Sequence, residues 1–239
     1  MEKFRVMNRG FGAVLLPTDG IRAVTLLRRV ICALLLSLAL MNQAEAQQYY
    51  FTTLAGSVGN SGSGDGWGSS ARFSSPRSLS FDSATNLCIA DSGNNRIRKS
   101  TLAGAVTTFA TLYSYSNPFG IATDSSNNIF VACAGDYIII KLGPLGTTTV
   151  FAGHDGSPGC YDGPALSSYF SSPEGVVVDS SNNVYVADTG NDTIRKITPG
   201  GIVSTIAGQT GFAGNFDGVG TNAYFWYPVN LAIDSANNI

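Results

Sequence analysis

The 239 residues carry 14 basic and 16 acidic side chains, a net charge of −2, with 28 glycines, four cysteines and a single histidine. Six of the basic and three of the acidic residues lie in 1–46, so the remainder carries 8 against 13, a net of −5. Nucleic-acid phosphates and anionic membrane surfaces are held by clustered positive charge, and this balance speaks against both as partners.

In chain order, residues 1–46 read first, as a secretion signal. Arg28 and Arg29 precede the apolar stretch Val30 to Met41, and Ala44-Glu45-Ala46 follows it. A basic flank, a short apolar core and small residues at a cleavage site are the parts of a signal peptide. A membrane span needs about 20 apolar residues, more than this stretch supplies. Cleavage is expected near Ala46, and the long run-in before Arg28 points to an internal start at Met7. The expected location is secreted or extracellular, or periplasmic in a bacterium, with no membrane insertion after cleavage.

From residue 47 the chain is rich in Gly, Ser, Asn and Val, and its many short apolar runs bounded by turn residues indicate an all-β domain. Cys88, Cys133 and Cys160 remain after cleavage. An odd count leaves at least one thiol free or paired elsewhere, and no pair has metal-ligand spacing. No metal and no cofactor is expected.

Four segments align without gaps: Pro76-Arg-Ser-Leu-Ser-Phe-Asp82, Pro118-Phe-Gly-Ile-Ala-Thr-Asp124, Pro173-Glu-Gly-Val-Val-Val-Asp179 and Pro228-Val-Asn-Leu-Ala-Ile-Asp234. Their prolines lie 42, 55 and 55 residues apart. A polar turn follows each Asp, then a second apolar run such as Val184-Tyr-Val-Ala187. In the third copy Thr193 to Thr198 alternates as a half-exposed strand does, and Ile202 to Ala207 makes a fourth strand. Four antiparallel strands joined by tight turns form one propeller blade, and such blades repeat around a channel.

The pattern Pro-x-Gly-apolar-x-x-Asp, Asn-apolar-Tyr-Val-Ala-Asp-x-Gly-Asn and Ile-Arg-Lys resembles that of NHL repeats over nearly all of 49–239. The resemblance implies a β-propeller of six blades. About three complete blades are expected, at 76–110, 118–152 and 173–207, with partial ones at 49–56 and 228–239. The partial units read as a fragment of a longer protein. Before the first and third copies, and again before Pro228, the connection has a fixed form: Ala-Gly, then Asp-Gly nine residues later (Asp65, Asp162, Asp217), then Phe eight beyond (Phe73, Phe170, Phe225). Between the first two copies it is 13 residues shorter.

Asp91 with Arg98 and Asp188 with Arg195 hold matching positions, and both members change together in the second copy, to Cys133 and Ile140. Joint replacement points to structural ion pairs. The Asp-Ser-Ser-Asn-Asn turns need no calcium, since Asp and Asn hydrogen-bond their own backbone there. His154 stands alone, whereas hydrolases and lyases built on six-bladed propellers generally use several His residues around a central metal. Asn191-Asp-Thr193 is a glycosylation acceptor sequence on an expected exposed turn. Tyr113, Tyr115 and Tyr161 flank the shortened connection and the long one after it, and are the candidate ligand contacts. The expected function is a secreted, non-enzymatic scaffold whose loops hold a protein or glycan. The alternative is an enzyme, a lyase or lactonase-like hydrolase, with its active site at the central channel.

Overall fold

The structure, a computed structural model, describes residues 50–239 together with the backbone of two short paired strands, β1 (Arg5–Met7) and β2 (Val14–Leu16). Those two strands belong to a unit ending at Phe51, and a second unit runs from Thr52 to Ile239. The apolar stretch Val30 to Met41 and the expected cleavage site at Ala46 lie outside the described residues.

The second unit holds three antiparallel sheets. The first contains β3 (Gly66–Trp67), β4 (Pro76–Phe81), β5 (Leu87–Asp91), β6 (Arg96–Ser100) and β7 (Ala105–Thr111), in the order β3-β7-β6-β5-β4. The middle sheet is β8 (Pro118–Thr123), β9 (Ile129–Cys133), β10 (Ile138–Leu142) and β11 (Thr148–Gly153), each strand beside the next. The third contains β12 (Gly163–Pro164), β13 (Pro173–Val178), β14 (Val184–Asp188), β15 (Thr193–Ile197) and β16 (Ile202–Gly208), in the order β12-β16-β15-β14-β13. This is the architecture of β-propeller blades. The two-residue fifth strands β3 and β12 had no sequence signal beyond the Asp-Gly whose glycine opens each.

Side chains alternate along every strand because successive residues point to opposite faces. In β9, Ile129, Val131 and Cys133 pack toward the first blade, with Ile97 and Cys88, while Phe130 and Ala132 pack toward the third, with Phe170 and Val186. The middle blade is therefore apolar on both faces. Where β8 passes β13 the backbones nearly touch: a Cβ on Gly120 would run into the Glu174 carbonyl.

Each β-turn after an innermost strand is locked by its own aspartate. Asp179 Oδ1 accepts the N–H groups of Ser181 and Asn183 at 2.8 Å each, and Oδ2 accepts Asn183 Nδ2 at 2.7 Å and the Tyr185 hydroxyl at 3.0 Å. Asn182 sits in the left-handed region at φ 61°, which Asn tolerates. Burial pushes the Asp179 carboxyl up, but the Asn183 side chain and backbone and the Tyr185 hydroxyl outweigh it and hold it below the usual range.

Phe51 to Ala55 and Pro228 to Ile233, read from sequence as strands of partial blades, are irregular. Among the described residues no strand pairs with either segment, so neither has a ladder to hold it extended. The final turn still forms, with Asp234 Oδ1 accepting the Asn238 N–H at 2.8 Å.

Candidate binding cleft in the middle blade

The first and third blades solve one packing problem in nearly the same way. Arg98 is fully buried, and its Nη1 donates to Asp91 Oδ2 at 2.8 Å and to the Arg72 carbonyl at 2.9 Å. Nη2 donates to Asp65 Oδ1 at 2.7 Å and to the Gly64 carbonyl at 2.9 Å. Arg195 repeats this with Asp188 (2.6 Å), Asp162 (2.6 Å) and the carbonyls of Tyr169 (2.9 Å) and Tyr161 (3.0 Å). Each guanidinium lies over a ring, Phe73 at 5.1 Å or Phe170 at 5.0 Å. The remaining lone pairs of the buried carboxylate are also used. Asp91 Oδ1 accepts the Ser74 N–H and Asp188 Oδ1 that of Ser171, both at 2.7 Å. Asn94 and Asn191 donate to the same carboxylates at 2.8 and 2.7 Å, and to the carbonyls of Gly62 and Gly159 at 2.7 Å. A buried charge is tolerable when paired this densely, although Arg98 Nε has no partner where Arg195 Nε donates to Asp162 Oδ1 at 3.1 Å.

Asp65 and Asp162, assigned only to turns by sequence, are thus the second carboxylates of these networks. The signal was their constant distance from the arginine, 33 residues in both copies. Asn191, read as an exposed glycosylation acceptor, is instead buried and spends its amide on Asp188 and Gly159. That expectation fails because the Asn serves the network beneath the turn.

In the middle blade the charged and amide members of the network and its threonine all change, while Ser116 keeps the place of Ser74 and Ser171. Cys133 takes the Asp position, Asp136 the Asn, Ile140 the Arg, and Val150 replaces Thr108 and Thr205, which hydrogen-bond Asp65 and Asp162. The shortened connection brings neither an Asp-Gly loop nor a fifth strand. In the resulting space is a cavity of about 240 Å³ between the first two blades, lined by Leu112, Tyr113, Ile138, Ile140 and Val150, with Asp136 and Asp155 among its polar groups. Burial pushes the Asp136 carboxyl up, the Ser116 hydrogen bond pulls it down, and the neighbouring Asp155 pushes it up again, for a net rise. Among the described residues no ion pair reaches either carboxylate.

The shortened connection is clamped from below. Gly135 N–H donates to the Ser116 carbonyl at 3.2 Å and Ala134 N–H to that of Asn117 at 3.3 Å. A Cβ on Gly135 would run into the Tyr115 carbonyl. Glycine is required there by close approach of the backbone.

Of the three candidate tyrosines, Tyr113 lines the cleft and is 80% exposed. Tyr115 lies three residues before Pro118, the register of Phe73 and Phe170, yet it has φ 73° and is 84% exposed. The guanidinium that those rings lie against is absent from this blade. Tyr161 is exposed on the next long loop, edge-on to Tyr169 at 5.6 Å, and Tyr169 stacks on His154 at 5.1 Å. No ring contact joins Tyr161 to Tyr113 or Tyr115.

A second recess of about 310 Å³ runs between the innermost strands, lined by neutral groups such as Ser78, Ile121, Thr123 and Val177. On the loop-bearing end of those strands Arg77 lies over the Phe119 ring at 4.1 Å. Burial pushes the nearby Glu174 carboxyl up, with Arg77 pulling against it. Among the described residues no group of three or more His, Cys, Asp and Glu is placed to share a metal ion.

The NHL repeat family model matches residues 170–197, which span β13 to β15 of the third blade. No curated protein matches the chain. Among solved structures, a protein of unknown function from Bacteroides thetaiotaomicron is 25% identical with a TM-score of 0.59, the match covering 65% of this chain and 41% of that one. An auxiliary nutrient binding protein from Bacteroides ovatus is 18% identical with a TM-score of 0.59, covering 70% and 45%. A streptogramin B lyase is 17% identical with a TM-score of 0.52, covering 69% and 47%. The last two show a shared fold. The chain spans less than half the length of each of the three.

Proposed function

We propose, for a chain built of NHL-type β-propeller blades, that it acts as a secreted binding scaffold whose loops at one end of the sheets hold a protein or glycan. The observation that carries this reading is the cleft of the middle blade. Two sister blades fill the equivalent space with their own loop and arginine, whereas this blade leaves it open, apolar-walled and bordered by exposed Tyr113. An open concave patch with an aromatic at its edge is what recognition sites are made of. The nutrient-binding protein among its structural neighbours fits the same reading.

The enzyme reading draws on Glu174, whose raised carboxyl sits near Arg77 where the innermost strands converge, and on propeller folds hosting unrelated functions. One experiment separates the two. The protein is titrated against panels of synthetic peptides and glycans, and the bound species is recovered and weighed. A scaffold returns its ligand chemically unchanged, loses affinity in Gly135→Ala, which displaces the connection at the cleft, and keeps it in Glu174→Gln. Turnover of a ligand that stops in Glu174→Gln would overturn the reading.

A further inference from the structure

The open edge of the middle sheet is the counterpart of an edge that the sister blades close. In the first blade Gly66 pairs with Val106, and Gly68 N–H donates to the Gly104 carbonyl at 2.8 Å. In the third, Gly163 pairs with Val203, and Ala165 N–H donates to the Gly201 carbonyl at 2.8 Å. The matching residues of the middle blade are Gly146 and Thr148. Thr147 turns its carbonyl inward, to Gly143 N–H at 2.8 Å, so by the alternation of a strand Thr148 turns both its N–H and its carbonyl outward. Among the described residues no strand pairs with β11 on that side.

We propose that this edge and the adjoining cleft receive an extended polypeptide segment of a partner, added as the missing fifth strand and carrying a basic side chain for Asp136. This rests on the binding-scaffold reading and names the partner chemistry of the same site. The sister loops supply the template. There the segment enters past the residue at the Asn position, which donates to the carbonyls of Gly62 and Gly159. Three residues later it places an Asp over the arginine, then pairs as β3 or β12. In the middle blade the first contact is Asp136 instead of Asn, and the second is Ile140 and Val150 instead of Arg and Thr. A complementary segment therefore has a cation where the sister loops have Gly62 or Gly159. Over the Ile140–Val150 wall it has an apolar residue where they have Asp65 or Asp162. Main-chain pairing at an exposed edge supplies affinity and alternate side chains supply specificity.

The test uses a fluorescein-labelled octapeptide of residues 60–67 with Gly62→Arg and Asp65→Leu, titrated against the full chain by anisotropy. The unaltered octapeptide and one with Gly62→Glu and Asp65→Leu serve as charge controls. The Arg-bearing peptide is expected to bind at least tenfold tighter than either control. Asp136→Asn should reduce that preference at least fivefold. Thr148→Pro, which removes only the outward donor of an edge strand, should weaken all binding at least tenfold with an unchanged circular dichroism spectrum. Equal affinity for the three peptides, or no response to both variants, would overturn the proposal. So would a cross-link showing that the chain's own residues before Tyr50 occupy the edge. Glycans or peptides that bind the loops but ignore Thr148→Pro would sink this inference and leave the scaffold reading standing.

Discussion

The first and third blades differ from the middle one as filled sites differ from an open one. In the outer pair, an arginine with no exposed surface joins a sheet carboxylate to a loop carboxylate, and the same loop goes on to cap the outermost strand. In the middle blade four substitutions and one deletion act together: Cys133, Asp136, Ile140 and Val150 replace the network, and 13 residues of connection are missing. The substitutions make sense as a set. Once the loop aspartate is gone, a buried arginine would lack one of its two carboxylates, so the arginine, its aspartate and the threonine must turn apolar with it. A structural network lost as a unit leaves a shaped recess rather than a collapsed one, because the strands around it are held by blade-to-blade packing on both faces.

The comparison breaks most visibly if the arginine is removed from a blade that still has its carboxylates. Arg195→Ile leaves Asp188 buried without its cation and should cost about 3–5 kcal/mol of stability, measured by denaturant titration. Adding Asp188→Cys, which gives the third blade the residues of the middle one, should restore part of that loss. Simple additivity of the two changes would mean that they do not act as a pair.

Next in size is the clamp beneath the shortened connection. Gly135→Ala forces its new methyl into the Tyr115 carbonyl and should cost about 1–3 kcal/mol, with the largest chemical-shift changes in 111–117. Replacement of the turn aspartate follows. Asp179→Ala strands the N–H groups of Ser181 and Asn183 and should cost on the order of 1–2 kcal/mol. Because the folded carboxyl lies below its ordinary value, its contribution is complete above about pH 4 and is lost as pH falls through that lowered value.

The smallest effect sharpens the contrast of sign. Asp136 has a raised carboxyl, so its contribution is fully present below the ordinary carboxylate range and is lost as pH rises through the raised value. Asp136→Asn, which restores the residue type of the sister blades, should therefore leave stability unchanged at low pH and raise it slightly at neutral pH. A loss at neutral pH would place an unrecognised cation beside Asp136.

The blades themselves were legible in the sequence because short apolar runs recur in a repeated order and each turn carries its own Asp, Asn or Gly. Val184 to Asp188 matches β14 residue for residue. Pairing of Asp91 with Arg98 and of Asp188 with Arg195 was suggested by their joint replacement. The cleft was not legible. Its walls are Ile138, Ile140 and Val150, ordinary strand residues, and what makes them a cleft is a loop that is not there. Tyr113 was singled out for lying by the shortened connection, while Asp136 drew no notice in the sequence and gains meaning from its alignment with Asn94 and Asn191 in the structure. Asn191 misled in the other direction, since an acceptor sequence says nothing of a side chain's burial.

Among the described residues the middle sheet leaves β11 unpaired on the side where its sisters carry β3 and β12, and amide hydrogen exchange of the free protein reads that edge directly. The Thr148 amide should exchange far faster than those of Val106 and Val203, its counterparts facing β3 and β12, by a factor of ten or more. Equal protection of all three would contradict the open edge, and the cleft beside it could no longer be read as a vacant site.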